Sequence, residues 1–186
     1  VQTPTDDRLF YIAELLRRDV SYETINQLTA INPFFLAKLK NIINYEKVLT
    51  NGTLDKDIIL EAKQLGYSDK TIARLNGLDE DIIRHFRKQS EILPTYKMVD
   101  TCAGEFEAQA PYFYSTYETE NESQKASEKS VLILGSGPIR IGQGIEFDYS
   151  TVHCVRAVQQ MGYKAIVINN NPETVSTDYS VADKLY

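Results

Sequence analysis

Apolar residues recur at helical spacing through the first 90 residues of the chain. The first amphipathic helix is marked by five apolar positions, Leu9, Ile12, Ala13, Leu15 and Leu16. Thr5 or Asp6 is predicted to cap its start, and further helices are predicted to begin near Ser21 and at Asn32, where a proline follows at the first helical position. A fourth helix carries Leu54 to Leu65 and ends at a glycine. The pattern indicates a unit built from helices alone.

This helical pattern repeats about 47 residues later along the chain. The two copies match at five pairs of positions, Ser21/Ser68, Thr24/Thr71, Ile25/Ile72, Leu28/Leu75 and Ile31/Leu78. Each copy has a short helix, a turn with Asn or Gly and a longer helix, which predicts two helix-turn-helix units that cover each other's apolar faces. DNA binding is disfavoured, because Asp79, Glu80 and Asp81 open the second longer helix, where a DNA reader contacts bases and phosphates.

The chain changes character after Leu93 and Pro94. Aromatic residues become dense between Tyr112 and Tyr117, in a stretch predicted to be extended. They either join the core of the helical domain or dock onto a neighbouring domain that this chain lacks. Residues 118–129 are polar and lack apolar periodicity, which predicts a linker. The predicted divisions are a helical domain at 1–117, the linker at 118–129 and a second domain at 130–186.

The last 60 residues have the alternating pattern of an α/β domain. A short apolar strand at 131–134 leads into a glycine-rich loop with Gly135, Gly137, Gly142 and Gly144. A helix through Val152, Val155 and Val158 follows, and a second strand is predicted at 165–168. The predicted fold class is therefore a mainly α-helical domain followed by a truncated, Rossmann-like α/β segment.

The glycine-rich loop departs from the fingerprint of a dinucleotide site. Arg140 stands where the third glycine is expected, and the second strand ends in asparagines at 169–171 rather than in an acid that could bind a ribose. Glu146 and Asp148 lie beside the helix start, where two carboxylates repel a pyrophosphate. The alternative is that the glycines permit a tight turn and close packing of strand and helix.

Charge and composition exclude several classes of partner. The chain has 20 Lys and Arg against 26 Asp and Glu, and neither part has the basic excess that nonspecific nucleic-acid binding needs. No apolar run is long enough to span a membrane, and no secretory leader is recognised. The chain has two cysteines, Cys102 and Cys154, and a structural disulfide between them is not expected. The expected location is therefore the cytoplasm.

Three motifs occur in order along the last part of the chain. They are the glycine-rich loop, the run Gly-Gln-Gly-Ile-Glu-Phe-Asp-Tyr at 142–149 and the run Asn-Pro-Glu-Thr-Val-Ser-Thr-Asp-Tyr at 171–179. Together they resemble the start of the second synthetase half in the carbamoyl-phosphate synthase large-subunit family. The segments at 5–9, 99–103 and 114–117 resemble the oligomerisation domain that precedes this loop in the family. The resemblance covers essentially all 186 residues.

The resemblance implies an ATP-dependent ligase that makes carbamoyl phosphate from bicarbonate, glutamine-derived ammonia and two ATP. Residues from about 128 on would form the pre-ATP-grasp subdomain of the carbamate-phosphorylating half, and the ATP and Mg or Mn sites would lie after Tyr186. We therefore expect an inactive fragment with no catalytic residue and no bound cofactor or metal. Arginine and pyrimidine biosynthesis both use such an enzyme. The implied partners are a glutaminase small subunit and other large subunits, as a homo-oligomer, with no nucleic acid or membrane.

The family resemblance also implies a tunnel that carries carbamate between active sites. It passes loop regions that match Arg140, Glu146 and Glu173, and Arg140 is a plausible partner for a charged Glu146. The alternative is that Glu146 and Asp148 cap the helix and Glu173 caps the next element. The competing function is a stand-alone helical interaction module whose loop binds a nucleotide.

Overall fold

The chain is described by a computed structural model over residues 1–139, 142–171 and 174–186. It divides into two compact units, Val1–Leu93 and Pro94–Tyr186. The first unit is built from helices, and the second combines a hairpin, a parallel sheet and one long helix. The predicted fold class, a helical domain followed by a small α/β part, is confirmed.

The helical unit contains every helix that the apolar spacing predicts. In chain order the helices are α1 Arg8–Arg17, α2 Tyr22–Thr29, α3 Pro33–Asn51, α4 Lys56–Gln64, α5 Asp69–Asn76 and α6 Glu80–Gln89. The predicted caps by Thr5 or Asp6 are wrong. The chain is already helical at Asp7, with φ −85° and ψ −2°, so α1 begins without a side-chain cap and Arg8 N donates to the Thr5 carbonyl at 3.2 Å.

Two separate apolar cores stabilise the helical unit. One core contains Ile12, Leu16, Ile25, Leu36 and Ile43. The other contains Tyr45, Leu49, Ala62, Tyr67, Ile72, Ala73 and Ile83. The prediction that each copy covers the other's apolar face is confirmed in one direction only, because α3 of the first copy packs against the second copy, whereas the residues of the first core all belong to the first copy. Helix α3, about 28 Å long at 1.5 Å per residue, serves the first core near its start and the second near its end.

The structure shows the internal repeat as one fold in two copies. Ser21 accepts a hydrogen bond from Thr24 N at 3.2 Å, and Ser68 accepts one from Thr71 N at 3.0 Å. Asn32 caps α3 and Asp79 caps α6 in the same way, each at 2.9 Å. The helix that precedes each cap ends in a left-handed residue, Ala30 with φ +56° in the first copy and Gly77 with φ +63° in the second.

These two helix ends give a matched pair of stability changes. A Cβ added at Gly77 would meet no atom within 4 Å, so a substitution there changes backbone strain and not packing. Gly77→Ala should lower the free energy of unfolding by about 1 kcal/mol, and Ala30→Gly should raise it by up to about 1 kcal/mol. Urea unfolding followed by helical circular dichroism measures both. Changes of the same sign in the two variants would contradict this assignment.

A buried ion-pair network joins the last three helices of the helical unit, α4, α5 and α6. Sequence patterns did not predict this network. Asp69 accepts hydrogen bonds from Lys63 Nζ and Arg87 Nη2, each at 2.9 Å, and the three side chains are 9%, 10% and 11% exposed for Lys63, Asp69 and Arg87. Burial raises the pKa of the Asp69 carboxyl, but the bonds from Arg87 and Lys63 outweigh burial, and the pKa lies below its usual value. The network fixes α4, α5 and α6 relative to one another.

The lowered pKa of Asp69 predicts a pH-dependent contribution to stability. A depressed folded-state pKa contributes stability that is present above the unfolded pKa, about 3.9, and is lost as pH falls through the folded pKa. At pH 7, Asp69→Asn should lower the free energy of unfolding by about 3 kcal/mol, because two cations are left buried without a charged partner. Urea unfolding at pH 7 and pH 3 should show this difference shrink. An equal difference at both pH values would contradict the role of the charge.

The second unit has a hairpin followed by a three-stranded parallel sheet. Its elements are β1 Thr95–Met98, β2 Phe113–Thr116, β3 Ser130–Leu134, α7 Gly144–Gln160, β4 Lys164–Ile168, a 3₁₀ helix at Val175–Thr177 and β5 Lys184–Leu185. Strands β1 and β2 are antiparallel, and β4 lies between β3 and β5 in the parallel sheet. Helix α7 packs Val155 against Ala165 and Val167 on one face of that sheet. The predicted strand, loop, helix and strand are confirmed, and β5 is an addition.

The aromatic stretch docks onto the sheet of its own unit. Tyr112 forms a parallel bridge with Leu185, and the Tyr186 ring lies 4.9 Å from the Tyr96 ring and 5.4 Å from the Phe113 ring, between centroids. The segment predicted as a linker also bonds to β1, since Glu122 accepts from Met98 N at 2.6 Å. The compact units divide at residues 93 and 94, whereas the domain limits at 117 and 130 stay a prediction.

Candidate functional site

The candidate site lies where β3 and β4 end, beside the start of α7. Two loops meet there, the glycine-rich loop that begins at Gly135 and the loop that begins at Asn169 after β4. In open parallel α/β sheets this carboxyl edge is the usual position for ligands, because the loops of neighbouring strands converge on it. The contacts between the two loops therefore determine whether a ligand can bind at this edge.

Gly135 is needed for the close approach of the two loops. Its N–H donates to the Ile168 carbonyl at 2.8 Å, which continues the pairing of β3 and β4 by one residue. A Cβ at this position would lie 2.7 Å from the Cγ and Nδ2 atoms of Asn169 and 2.8 Å from its Cβ. The Asn169 side chain thus occupies the space that the missing side chain of Gly135 leaves.

Asn169 is the residue that joins the two loops. Its Oδ1 accepts hydrogen bonds from Gly137 N at 3.1 Å and Asn171 N at 3.2 Å, and its own N–H donates to the Tyr186 carbonyl at 2.8 Å. Within the part of the chain that the structure describes, Asn169 Nδ2 and Ser136 Oγ are buried without a hydrogen-bond partner. The edge therefore holds uncompensated polar groups, each of which is costly to bury.

The remaining loop glycines have different requirements. Gly137 and Gly142 have φ of +71° and +91°, in the left-handed region that glycine adopts without steric cost. Gly144 is the first residue of α7, and a Cβ there would meet Ile139 Cδ1 at 3.8 Å, an ordinary contact. Close packing against Asn169 explains the glycine at 135, and the left-handed backbone of a tight turn explains those at 137 and 142. Three of the four loop glycines therefore have a structural reason.

The two acids at the start of α7 differ in their surroundings. Glu146 lies in the first turn, and its side chain is exposed. Asp148 is only 4% exposed and accepts from Ser176 Oγ at 2.7 Å and from Ser176 N at 3.3 Å. The expectation that Asp148 caps α7 is wrong, because its carboxylate instead faces the 3₁₀ helix and ties the second loop to α7.

Comparison with known protein families decides what the chain is. Residues 1–91 match the family model described as carbamoyl-phosphate synthetase large chain, oligomerisation domain. Residues 127–186 match the model described as carbamoyl phosphate synthase preATP-grasp domain. The chain belongs to the carbamoyl-phosphate synthetase large-chain family. The resemblance found in the three sequence motifs is therefore confirmed.

Membership of the synthetase large-chain family assigns both compact units to a ligase. The oligomerisation match lies within the helical unit, and the pre-ATP-grasp match contains the parallel sheet and both loops of the candidate site. Among the described residues, no helix has the length and apolar character to cross a membrane. Groups of three or more His, Cys, Asp or Glu placed to hold a metal ion are also absent from those residues.

The predicted site residues of this synthetase chain are only partly described. Gly135, Gly137 and Glu146 lie at the carboxyl edge, as their places on the loop and helix require. Arg140 and Glu173 lie outside the described residues, so the pairing of Arg140 with Glu146 and the tunnel role of all three stay predictions. Sequence reasoning missed Asn169 as the joining residue. One signal for this role was available in the sequence. The asparagine run at 169–171 directly follows a buried strand, and the neighbouring strand is directly followed by Gly135.

Two glycine substitutions in this synthetase chain separate close packing from turn formation. Gly135→Ala should lower the stability of the α/β unit by about 2 kcal/mol, because the new Cβ meets the Cβ of Asn169 as well as its amide and little can move. Gly144→Ala is the control, and it should leave stability unchanged or raise it by up to about 1 kcal/mol, because alanine favours a helix more than glycine does. Hydrogen exchange at the amides of β3 and β4 measures both. Equal protection from hydrogen exchange in Gly135→Ala and Gly144→Ala would contradict the close contact between residue 135 and Asn169.

Proposed function

We propose that this chain forms part of the large subunit of a glutamine-dependent carbamoyl-phosphate synthase. That enzyme makes carbamoyl phosphate from bicarbonate, ammonia released from glutamine by a small subunit, and two ATP. The helical unit supplies subunit association in the cytoplasm, and the α/β unit opens the carbamate-phosphorylating half. The observation that carries this proposal is the order of the two family matches, oligomerisation domain first and pre-ATP-grasp domain second.

The uncovered face of the parallel sheet supports a role inside a larger assembly. Helix α7 covers the face that carries Ile133, Ala165 and Val167. On the opposite face Leu132 and Leu134 are 59% and 75% exposed. Parallel sheets are normally covered on both faces, so this unit is suited to receive a second layer from the rest of a synthetase domain. The ATP site, with Mg or Mn, belongs in that remainder.

The candidate site supports a role in passing carbamate between active sites. Carbamate decomposes in water, so a path that excludes bulk solvent and is lined with polar groups favours its transfer. Glu146 lies on the first turn of α7 beside the edge where Asn169 Nδ2 and Ser136 Oγ are buried. Arg140 and Glu173 belong to the same two loops by sequence. We assign these three charged residues to the wall of the tunnel.

Nucleotide binding by a stand-alone module is less well supported. In a dinucleotide site the second glycine of the loop lets the pyrophosphate approach the backbone closely. Here the second glycine is Gly137, and its N–H already donates to Asn169 Oδ1 at 3.1 Å. Glu146 adds a negative charge in the first turn of α7, where a phosphate group would bind. Both features oppose a phosphate ligand at this loop.

The tunnel assignment predicts a loss of coupling in the intact large subunit. Glu146→Ala should reduce the carbamoyl phosphate formed per ATP hydrolysed by severalfold, because carbamate escapes or is not guided to the second site. Glu118→Ala is the matched control, since Glu118 is an exposed acid outside the two loops. Coupled assays of product and of ADP release measure the ratio. An unchanged ratio in Glu146→Ala would remove this residue from the tunnel.

A further inference from the structure

One buried side-chain contact joins α7 to the loop that follows β4. Asp148 on α7 is 4% exposed, and Ser176 in the loop is 0% exposed. The Oδ1 atom of Asp148 accepts from Ser176 Oγ at 2.7 Å, and its Oδ2 atom accepts from Ser176 N at 3.3 Å. Each carboxylate oxygen therefore has its own donor, on a residue 28 positions away in the sequence.

This pair lacks the exposure that a reacting group needs. A serine hydroxyl beside a basic group is also the arrangement of an activated nucleophile. Ser176 has no accessible surface, however, so a substrate does not reach its Oγ in this structure. The contact therefore acts by holding the loop against α7 and not by taking part in a reaction.

The part of the loop that Asp148 holds is itself a closed turn. Thr177 Oγ1 donates to the Thr174 carbonyl at 2.9 Å and accepts from Thr174 N at 3.2 Å. Thr177 N donates to the same carbonyl at 3.1 Å. Because these bonds close the turn around Ser176, a contact at Ser176 fixes the whole turn relative to α7.

Asn169 fixes the start of the same loop at a second point. Its Oδ1 accepts from Gly137 N of the glycine-rich loop at 3.1 Å. The glycine-rich loop leads directly into α7 along the chain. The two contacts, at Asn169 and at Ser176, therefore set the separation between the loop after β4 and the elements that face it at the carboxyl edge.

Glu146 and Asp148 lie on opposite sides of α7. Residues two positions apart in an α-helix are about 200° apart around its axis. Glu146 is accordingly exposed, whereas Asp148 is buried against the 3₁₀ helix. The first two turns of α7 thus carry one acid that is open to solvent and one acid that holds the loop.

We propose that Asp148 is a positioning residue for carbamate transfer, because it fixes the loop after β4 to α7 through Ser176. The inference rests on the proposed tunnel role of the two loops, and it adds a residue that does not line the tunnel. A path that excludes bulk water depends on the spacing of its walls, and a displacement of about 1 Å impairs guided chemistry. A carboxylate offers an acceptor oxygen to both Ser176 donors, whereas an amide has one such oxygen.

The test uses the intact large subunit, with coupled assays of carbamoyl phosphate and of ADP release. Asp148→Asn removes one acceptor at nearly constant shape, and Ser176→Ala removes the hydroxyl donor. Asp178→Asn is the matched control, because Asp178 also accepts from a serine, at 2.8 Å from Ser180 N and 2.6 Å from Ser180 Oγ. That contact lies within the segment itself, so its loss does not release the loop from α7.

We expect Asp148→Asn to lower the carbamoyl phosphate formed per ADP released by at least about threefold, while ADP release itself stays within about twofold. Ser176→Ala should lower this ratio by a smaller factor, because it keeps the backbone bond. Asp178→Asn should leave the ratio unchanged. When combined with Glu146→Ala, Asp148→Asn should lower the ratio less than it does alone, since both residues act on one passage.

Three results would overturn the positioning role and keep the tunnel. They are an equal loss in Asp178→Asn, effects of Asp148→Asn and Glu146→Ala that multiply in the double variant, and a ratio that only Glu146→Ala lowers. If Asp148→Asn does not fold, Ser176→Ala decides by the same criteria. An unchanged ratio in both Glu146→Ala and Asp148→Asn would overturn the tunnel assignment, and this inference with it.

Discussion

The small size of each compact unit limits how much apolar surface it can bury, and the other features of the chain depend on this limit. Each unit has 93 residues. The helical unit divides its interior into two modest cores along α3 and leaves the first turns of α1 and α3 exposed. The α/β unit covers one face of its sheet with α7 and leaves the other face open. Both units are thus suited to contacts beyond themselves, which agrees with a family of large assembled ligases.

Local signals predicted the helical unit well, because its helices depend on features close together in sequence. The period of apolar residues, the serine caps at Ser21 and Ser68 and the repeat spacing of 47 all act within a few turns. The packing of the two copies was not predictable in this way. It depends on the length of α3 and on an ion-pair network whose members lie on three different helices.

The candidate site shows the same contrast between local and distant information. The strand, the loop and the helix follow from alternating apolar runs and glycines, and three sequence motifs identified the family. The roles of Asn169 and Asp148 were not visible, because each acts on a partner about 30 residues away in sequence. Strand β5 has only two residues, too few for any periodic pattern. Glycines that resemble a nucleotide loop instead make room for a side chain of the protein itself.

The central claim is that the helical unit alone associates large chains, and the most direct test compares that unit with the whole chain. Sedimentation equilibrium of residues 1–93 and of residues 1–186, at matched concentrations, gives the stoichiometry and the dissociation constant of each. The account predicts the same dimer with dissociation constants that agree within about threefold. A monomeric helical unit beside an associating full chain would contradict it, because association would then depend on the α/β unit.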